Sequence, residues 1–238
     1  MVEARVHEAA RAGYAAGAET YARARPSYPG AAVDWLLAGL DGGTIVEIGA
    51  GTGKFTVELV ARGRRVIAVE PVEEMRARLQ VETVAATAEE LPFRDGSVEA
   101  VVASQSLHWT DVDRALAEID RVLAPGGTLG LVWNLRDVDV PWQRDLDDLL
   151  ARLRGGAPHS RDGRWERAAA ASPFEIVARD AWRWTFDTDL DGVVARVRSV
   201  SYVAARPEDE QLRIDDEVRA LVVRNGVDPA RIAFPYVT

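Results

Sequence analysis

Three glycines at alternate positions, Gly49, Gly51 and Gly53, stand in the run Val46-Glu47-Ile48-Gly49-Ala50-Gly51-Thr52-Gly53-Lys54. Between a strand and a helix, such a run permits a tight turn and lets backbone approach a ligand closely at the helix N-terminus. Spacing narrows the choice of ligand. A nucleoside-triphosphate loop needs glycine five residues before the Gly-Lys pair and Ser or Thr after it, where this chain has Ile48 and Phe55. A dinucleotide fingerprint needs glycine three residues after Gly51, and Lys54 stands there instead. Taken alone, the loop also reads as a purely structural turn.

Two carboxylates accompany it. Glu47 ends the first β-branched run and Glu70 the second, so in a parallel sheet both project into the crevice at the carboxyl edge of the strands. An acidic side chain there suits a ribose with two free hydroxyls, because one carboxylate accepts both hydrogen bonds, and it repels a 2′-phosphate. His108 follows the fourth strand. A neutral imidazole there can take a proton from a hydroxyl nucleophile; alternatively, His108 and Trp109 shape a pocket and lead into the helix at Asp111. His7, His108 and His159 have no ligand spacing with carboxylates, so no metal is expected. The chain has no cysteine, which removes disulfide scaffolds, zinc fingers, thiol nucleophiles and iron-sulfur clusters.

These residues need a frame. Short β-branched runs predict strands at Thr44-Ile45-Val46, Arg65 to Val69, Val98 to Ala103 and Thr128 to Trp133, with a helix at Ala31 to Leu40 before the first strand and helices at Gly53 to Ala61 and Val72 to Leu79 between strands. The clearest helical period runs from Asp111 to Ala124, with Asp111 as cap and Pro125-Gly126-Gly127 as terminator. Strand and helix in alternation mean parallel strands with helices on both faces. Beyond Trp133 the reading is a helix at Pro141 to Arg154, a flexible loop, a half-exposed strand at Ala181 to Phe186, helices at Leu190 to Ala204 and Asp209 to Val223, and a last strand at Ile232 to Val237. The expected fold is α/β: a doubly wound Rossmann-like sheet of seven strands, mostly parallel with the last antiparallel, carrying a helical cap.

Composition agrees with an ordinary enzyme-sized domain of 238 residues. Twenty-nine basic against 38 acidic residues leave a net charge of -9, a field that repels phosphate backbones, so no nucleic-acid partner is expected. The longest uncharged stretch, Val122 to Leu135, is interrupted by Pro125-Gly126-Gly127 and too short to span a bilayer. Glu3 and Glu8 sit where a signal peptide would be apolar, which makes a cytoplasmic protein the expectation.

Glu-x-Gly-x-Gly-x-Gly at 47–53, Glu70-Pro71-x-x-x-Met75, Ala88-Glu89-Glu90-Leu91-Pro92-Phe93, Ser104-Gln105-Ser106-Leu107-His108-Trp109 and Leu123-Ala124-Pro125-Gly126-Gly127 occur in that order. The succession, over about residues 21 to 135, resembles the class I S-adenosylmethionine-dependent methyltransferases, in the small-molecule branch typified by ubiquinone/menaquinone and trans-aconitate methyltransferases. The resemblance implies S-adenosylmethionine as cofactor and S-adenosylhomocysteine as product. Gly49 and Gly51 would then lie along the methionine part, Glu70 would bind both ribose hydroxyls, and Pro71 and Met75 would flank the adenine. Glu47 joins this set of cofactor-binding residues. Many relatives have Asp where this chain has Thr87, reading the adenine amino group, so the Ala88 backbone and the Glu89 side chain become the candidates for that contact. Ser104 and Gln105 occupy the place where relatives bring a backbone carbonyl to the methionine amine. The stretch Tyr21-Ala22-Arg23-Ala24-Arg25-Pro26-Ser27-Tyr28-Pro29 resembles the segment that folds over the cofactor, with Arg25 and Tyr21 toward the methionine carboxylate; the plainer alternative is that Arg23 and Arg25 solvate a helix end. One methyltransferase domain over 1–238 is therefore expected, with a lid at 1–30, a cofactor core at 31–135, and sheet completion plus cap at 136–238.

Methyl transfer from a sulfonium is an in-line displacement that asks the protein for positioning, desolvation and sometimes proton removal. The expected acceptor is a small molecule. Tyr14, Tyr21, His108, Trp109, Trp133 and Trp142 form a mostly aromatic border that favours oxygen on a flat or apolar molecule, with His108 as base or orienting group. Carboxyl methylation of a trans-aconitate-like acid, received by Arg161, Arg164 or Arg167, is the alternative, although those arginines also read as a solvated helix face. From a different class comes a non-catalytic module that binds the cofactor without turnover.

Overall fold

The computed structural model describes residues 24–40 and 43–238. In chain order the elements are α1 (Gly30–Ala38), β1 (Thr44–Ile48), α2 (Lys54–Ala61), β2 (Arg65–Val69), α3 (Glu73–Arg76), β3 (Glu82–Val84), β4 (Val98–Ser104), a 3-10 turn (Leu107–Trp109), α4 (Val112–Val122) and β5 (Leu123–Val132). They continue with β6 (Leu135–Arg136), α5 (Pro141–Arg154), α6 (Arg164–Ala171), β7 (Arg183–Thr188), α7 (Leu190–Arg198), α8 (Ser201–Ala204), α9 (Glu208–Arg224) and β8 (Ile232–Val237). Among the described residues, the chain divides into one unit of 27–133 and 158–181 and another of 24–26, 134–157 and 182–238.

In the first unit the five strands are all parallel, in the order β3-β2-β1-β4-β5. The order reverses between β1 and β4, and the crevice outside the carboxyl ends of strands at such a point is where α/β sheets bind ligands. Period-2 alternation divides the side chains between two cores. Ile45, Val66, Ala100 and Val102 meet Leu36, Leu37, Phe55 and Leu59 of α1 and α2 on one face. Val46, Ile48, Val69, Val101 and Ala103 meet Leu116, Ile119 and Ala168 of α4 and α6 on the other. Asp111 caps α4, its side chain accepting from Arg114 N at 3.3 Å, as the sequence indicated.

Several boundaries differ from expectation for identifiable reasons. Helix α4 stops at Val122, because Leu123 turns extended and pairs with Val98; Pro125-Gly126-Gly127 then loops out, and pairing resumes at Thr128 with Ala100. Helix α3 is shorter than Val72 to Leu79, since Arg78 and Leu79 donate three residues back, to Met75 and Arg76, and close the run as tight turns. Val200 is extended at φ -76°, ψ 126°, which splits the helix expected over Leu190 to Ala204 into α7 and α8.

The described residues form a five-stranded and a three-stranded sheet in place of the expected single sheet of seven strands. In the second unit β6, β8 and β7 form a separate antiparallel sheet with β8 at its centre. Both edges of β8 are taken locally, by Leu135-Arg136 on one side and the whole of β7 on the other. Pro235 is tolerated in this central strand because β6 covers only Tyr236 and Val237; beside the proline, Asp137 N donates to its carbonyl at 3.2 Å. Helices α5, α7 and α9 contribute Leu146, Leu150, Val193, Val197, Val218 and Leu221 to a core against Phe234 and Tyr236. Among the described residues, no helix is long and apolar enough to cross a membrane.

Leu116 is 2 % exposed within the α4 core. Leu116→Ala should cost about 2–5 kcal/mol, read as a lower urea midpoint at an unchanged slope, whereas a midpoint within experimental error of wild type would show that α4 is not packed as described.

Candidate cofactor-binding site

The turns that follow β1, β2 and β4 meet at the carboxyl edge of the sheet. The chain leaves β1 through Gly49, Gly51 and Gly53, all with positive φ (63°, 58° and 85°). Gly49 N and Ala50 N both donate to Val69 O, at 2.8 and 3.2 Å, which folds the loop back over the end of β2. A Cβ on Gly49 would lie 2.5 Å from Ser106 Cβ, whereas one on Gly51 would have nothing within 4 Å. Gly49 therefore serves packing, and Gly51 lines open space. Gly53 leads into α2, whose N-terminus has no side-chain cap and no acidic residue in its first turn.

Glu70 follows β2 and is 5 % exposed. Its Oε2 accepts from Gly51 N at 2.8 Å and its Oε1 from Val72 N at 2.9 Å. A carboxylate offers about four lone-pair positions, so each oxygen retains one. Burial pushes the Glu70 pKa up, and the two amide bonds with the Arg76 charge work against that rise. Arg76 Nη1 also donates to the Glu70 carbonyl at 2.8 Å, fixing the turn.

Glu47 behaves differently from its sequence expectation. It is fully buried, and its position on β1 places it on the α2 side of the sheet with Ile45. Thr56 Oγ1 donates to its Oε2 at 2.6 Å and Ser104 Oγ to its Oε1 at 3.0 Å. Burial raises its pKa from near 4.5 to about 7, with the Glu70 charge adding to the rise and the two hydroxyl bonds opposing it. Thr56 was not singled out from the sequence, although its place three residues into α2 puts it over the end of β1. Ser106, also missed in this role, donates from Oγ to Ile48 O at 2.6 Å and locks the β4 turn to the β1 turn. Between them Gln105 adopts φ 55° and donates its N–H to Val132 O at 2.9 Å.

The remaining expected residues are spread more widely. Met75 and Ala88 are buried at 2 % each, and Pro71 is partly exposed. Glu89 Oε1 accepts from Asp111 N at 2.8 Å, so its side chain holds the start of α4. Thr87 is 7 % exposed, and its Oγ1 has no hydrogen-bond partner. Arg25 belongs to the second unit, donating from Nε to Ser199 Oγ at 3.0 Å and from Nη2 to Ser199 O at 3.3 Å. Tyr14, Tyr21 and residues 1–23 of the lid expected over 1–30 lie outside the described residues.

His108 is 9 % exposed, and its Nδ1 accepts from Trp133 Nε1 at 3.3 Å. A neutral ring whose Nδ1 accepts carries its proton on Nε2. Trp133 stacks on Trp165 at 4.8 Å, and Arg164 Nη2 donates to His108 O at 3.1 Å while its Nε pairs with Asp162 at 2.9 Å. Trp142, the other expected pocket wall, packs edge-on against Phe234 in the core of the second unit. Among the described residues, no cluster of three His, Asp or Glu side chains is disposed to hold a metal.

The family described as "Methyltransferase domain" matches residues 46–131. An uncharacterized methyltransferase of Mycobacterium tuberculosis is 42% identical over 233 residues, covering 95% of this chain and 92% of the relative. The chain belongs to the S-adenosylmethionine-dependent methyltransferases. An uncharacterized methyltransferase of Schizosaccharomyces pombe is 39% identical over 214 residues, covering 85% of this methyltransferase and 84% of the relative. A solved structure from Anaeromyxobacter dehalogenans, assigned as a type II methyltransferase, superposes with a TM-score of 0.67 at 25% identity and covers 90% of this methyltransferase and 94% of that chain.

The raised Glu47 pKa has a consequence for stability. A folded pKa above the unfolded one means that the native state binds the proton more tightly, a stabilisation present below about pH 4.5 and lost as pH rises through about 7. Glu47→Gln should therefore flatten the fall in unfolding free energy between pH 5 and 8, by up to about 3 kcal/mol. Parallel stability curves for the variant and wild type would refute the assignment.

Proposed function

We propose that this methyltransferase binds S-adenosylmethionine at the glycine loop and transfers its methyl group to an oxygen of a small organic acceptor. The observation that carries the reading is the pairing of Glu70, which keeps an accepting position on each oxygen, with the open space over Gly51. A ribose with free 2′ and 3′ hydroxyls donates two hydrogen bonds and fits those two positions. The uncapped N-terminus of α2 suits the methionine carboxylate, and the unpartnered Thr87 hydroxyl offers a hydrogen bond to an adenine edge in place of the usual Asp. Pro71 and Met75 supply the apolar sides, and Ser104-Gln105 bring backbone to the amino group. Glu47 serves as a positioning residue for the loop.

When bound, the cofactor supplies a methyl group on a sulfonium, which needs no metal and no redox partner. The chain must then hold an acceptor oxygen in line and keep water out. Trp133, stacked on Trp165, donates to His108 Nδ1, so a neutral imidazole there carries its proton on Nε2 and acts as a donor rather than a base. A donor orients an oxygen without deprotonating it. The reading thus favours an acceptor whose oxygen is already an anion when it attacks, a carboxylate ahead of a neutral alcohol.

Calorimetric titration with S-adenosylhomocysteine should show binding to wild type, weakened by about 1–3 kcal/mol in Glu70→Ala. Wild-type affinity in that variant, with the fold intact, would move the cofactor elsewhere. Binding without turnover on a panel of carboxylic acids, phenols and quinols would favour the non-catalytic module.

The orienting role of His108 is tested separately. His108→Ala should lower kcat/KM about tenfold with S-adenosylhomocysteine affinity unchanged, and the shape of the kcat–pH profile should be the same in wild type and variant. A limb in the wild-type profile that disappears in the variant would make His108 a base after all.

A further inference from the structure

Between α6 and β7 the chain runs from Phe174 to Asp180 without a turn, bend, helix or strand. A run with no bend is extended, and its alternate side chains point to opposite sides. Phe174 packs against the core of the first unit, and the Arg179 guanidinium carbon lies 5.6 Å over the Trp165 ring, so both ends of the run are held to that unit. The middle is bare. Ile176 is 54 % and Val177 83 % exposed, and among the described residues no backbone N–H or carbonyl of 175–179 has a hydrogen-bond partner. The other large apolar side chains that reach solvent among the described residues, Val57, Val60, Leu212 and Val223, stand on α2 and α9, where the backbone bonds within the helix.

Extended backbone without partners, carrying apolar side chains and no proline, is a template for a further strand. Its charges select which strand. When two copies of the segment lie antiparallel about a two-fold axis at Val177, Glu175 of each faces Arg179 of the other, Ile176 faces Ala178, and Val177 faces Val177. A shift of one residue that sets Val177 opposite Ala178 brings Glu175 against Asp180, and like charges directly opposite are destabilising. The shift the other way sets Val177 opposite Ile176 and leaves Glu175 against Ala178 and Arg179 against Phe174. The Val177-centred register is thus the one that the charges favour. Because a two-fold contact uses every pairing twice, it places an ion pair on each side of the central Val177 contact.

We infer that residues 174–180 are a dimerisation strand, which pairs antiparallel with the same segment of a second copy of this chain about a two-fold axis at Val177. The ladder gives partners to the backbone groups on the paired edge, and Val177 leaves water against its counterpart. The two ion pairs set register and orientation more than they add affinity, as exposed charge pairs do. Seven residues a side fall well below the roughly 20–30 of a standard interface, so the dimer is weak and depends on concentration. Pairing is independent of the transfer reaction proposed above, and its test uses no cofactor.

Sedimentation velocity on the full chain over a rising protein concentration should show a reversible equilibrium between monomer and dimer. Glu175→Arg and Arg179→Glu each set like charges opposite one another and should weaken dimerisation about tenfold or more. An equimolar mixture of those two variants regains opposite charges at both places in the mixed pair, and should dimerise to within about threefold of wild type, as should the double variant Glu175→Arg/Arg179→Glu. Val177→Lys sets two ammonium groups across the axis and should leave a monomer with the circular dichroism and Tm of wild type, since the side chain it replaces is exposed. A wild-type chain that stays monomeric at every concentration, a dimer unchanged by Val177→Lys, or a mixture of the two charge variants as weak as either alone would overturn the inference. Open-ended growth beyond two copies would overturn it as well, because a two-fold contact closes on itself.

Discussion

Thr56 on α2 and Ser104 on β4 each place a hydroxyl on Glu47 of β1, so one buried carboxylate ties together the three elements that frame the glycine loop. Desolvation opposes its charge, and the hydroxyls recover part of that cost. The loop's course depends on this tie. With β1 and β4 fixed at their carboxyl ends, Ser106 can reach the Ile48 carbonyl, and Ser106 in turn leaves space beside Gly49 only for a hydrogen.

The two acidic residues of the motif thus divide the work. Glu47 is spent inside the protein, on hydroxyls that hold it, while Glu70 engages backbone amides and keeps one accepting position on each oxygen. The division follows from geometry. Residue 47 belongs to a strand and inherits its face from the pleat, whereas residue 70 comes after β2 has ended and can turn toward the crevice.

Much of the first unit was legible in the sequence because its signals are local: β-branched runs, the Asp111 cap and the glycine spacing all act within a few residues. The acidic residue after the second strand was also legible. The burial of Glu47 was not, since its partners Thr56 and Ser104 come from elements whose packing the motif does not encode. Nor could the sequence separate the second sheet, because the choice of β8 between extending a parallel sheet and pairing with β6 and β7 rests on contacts distant in sequence. Residue type alone likewise does not say which nitrogen of His108 bears the proton; the Trp133 indole decides it.

The central place of β8 also bears on how the chain comes to be folded. Synthesis delivers β1 through β5 in sequence, so the parallel sheet can assemble from segments already made. Leu135 must wait for Val237, and Arg183 for the same residue, before the second sheet has any ladder at all. Until then the apolar faces of α5 and α7 have no Phe234 or Tyr236 to cover them. The second unit is therefore the late-folding part of the molecule, and the interval before β8 emerges is when a chaperone has the most exposed surface to hold.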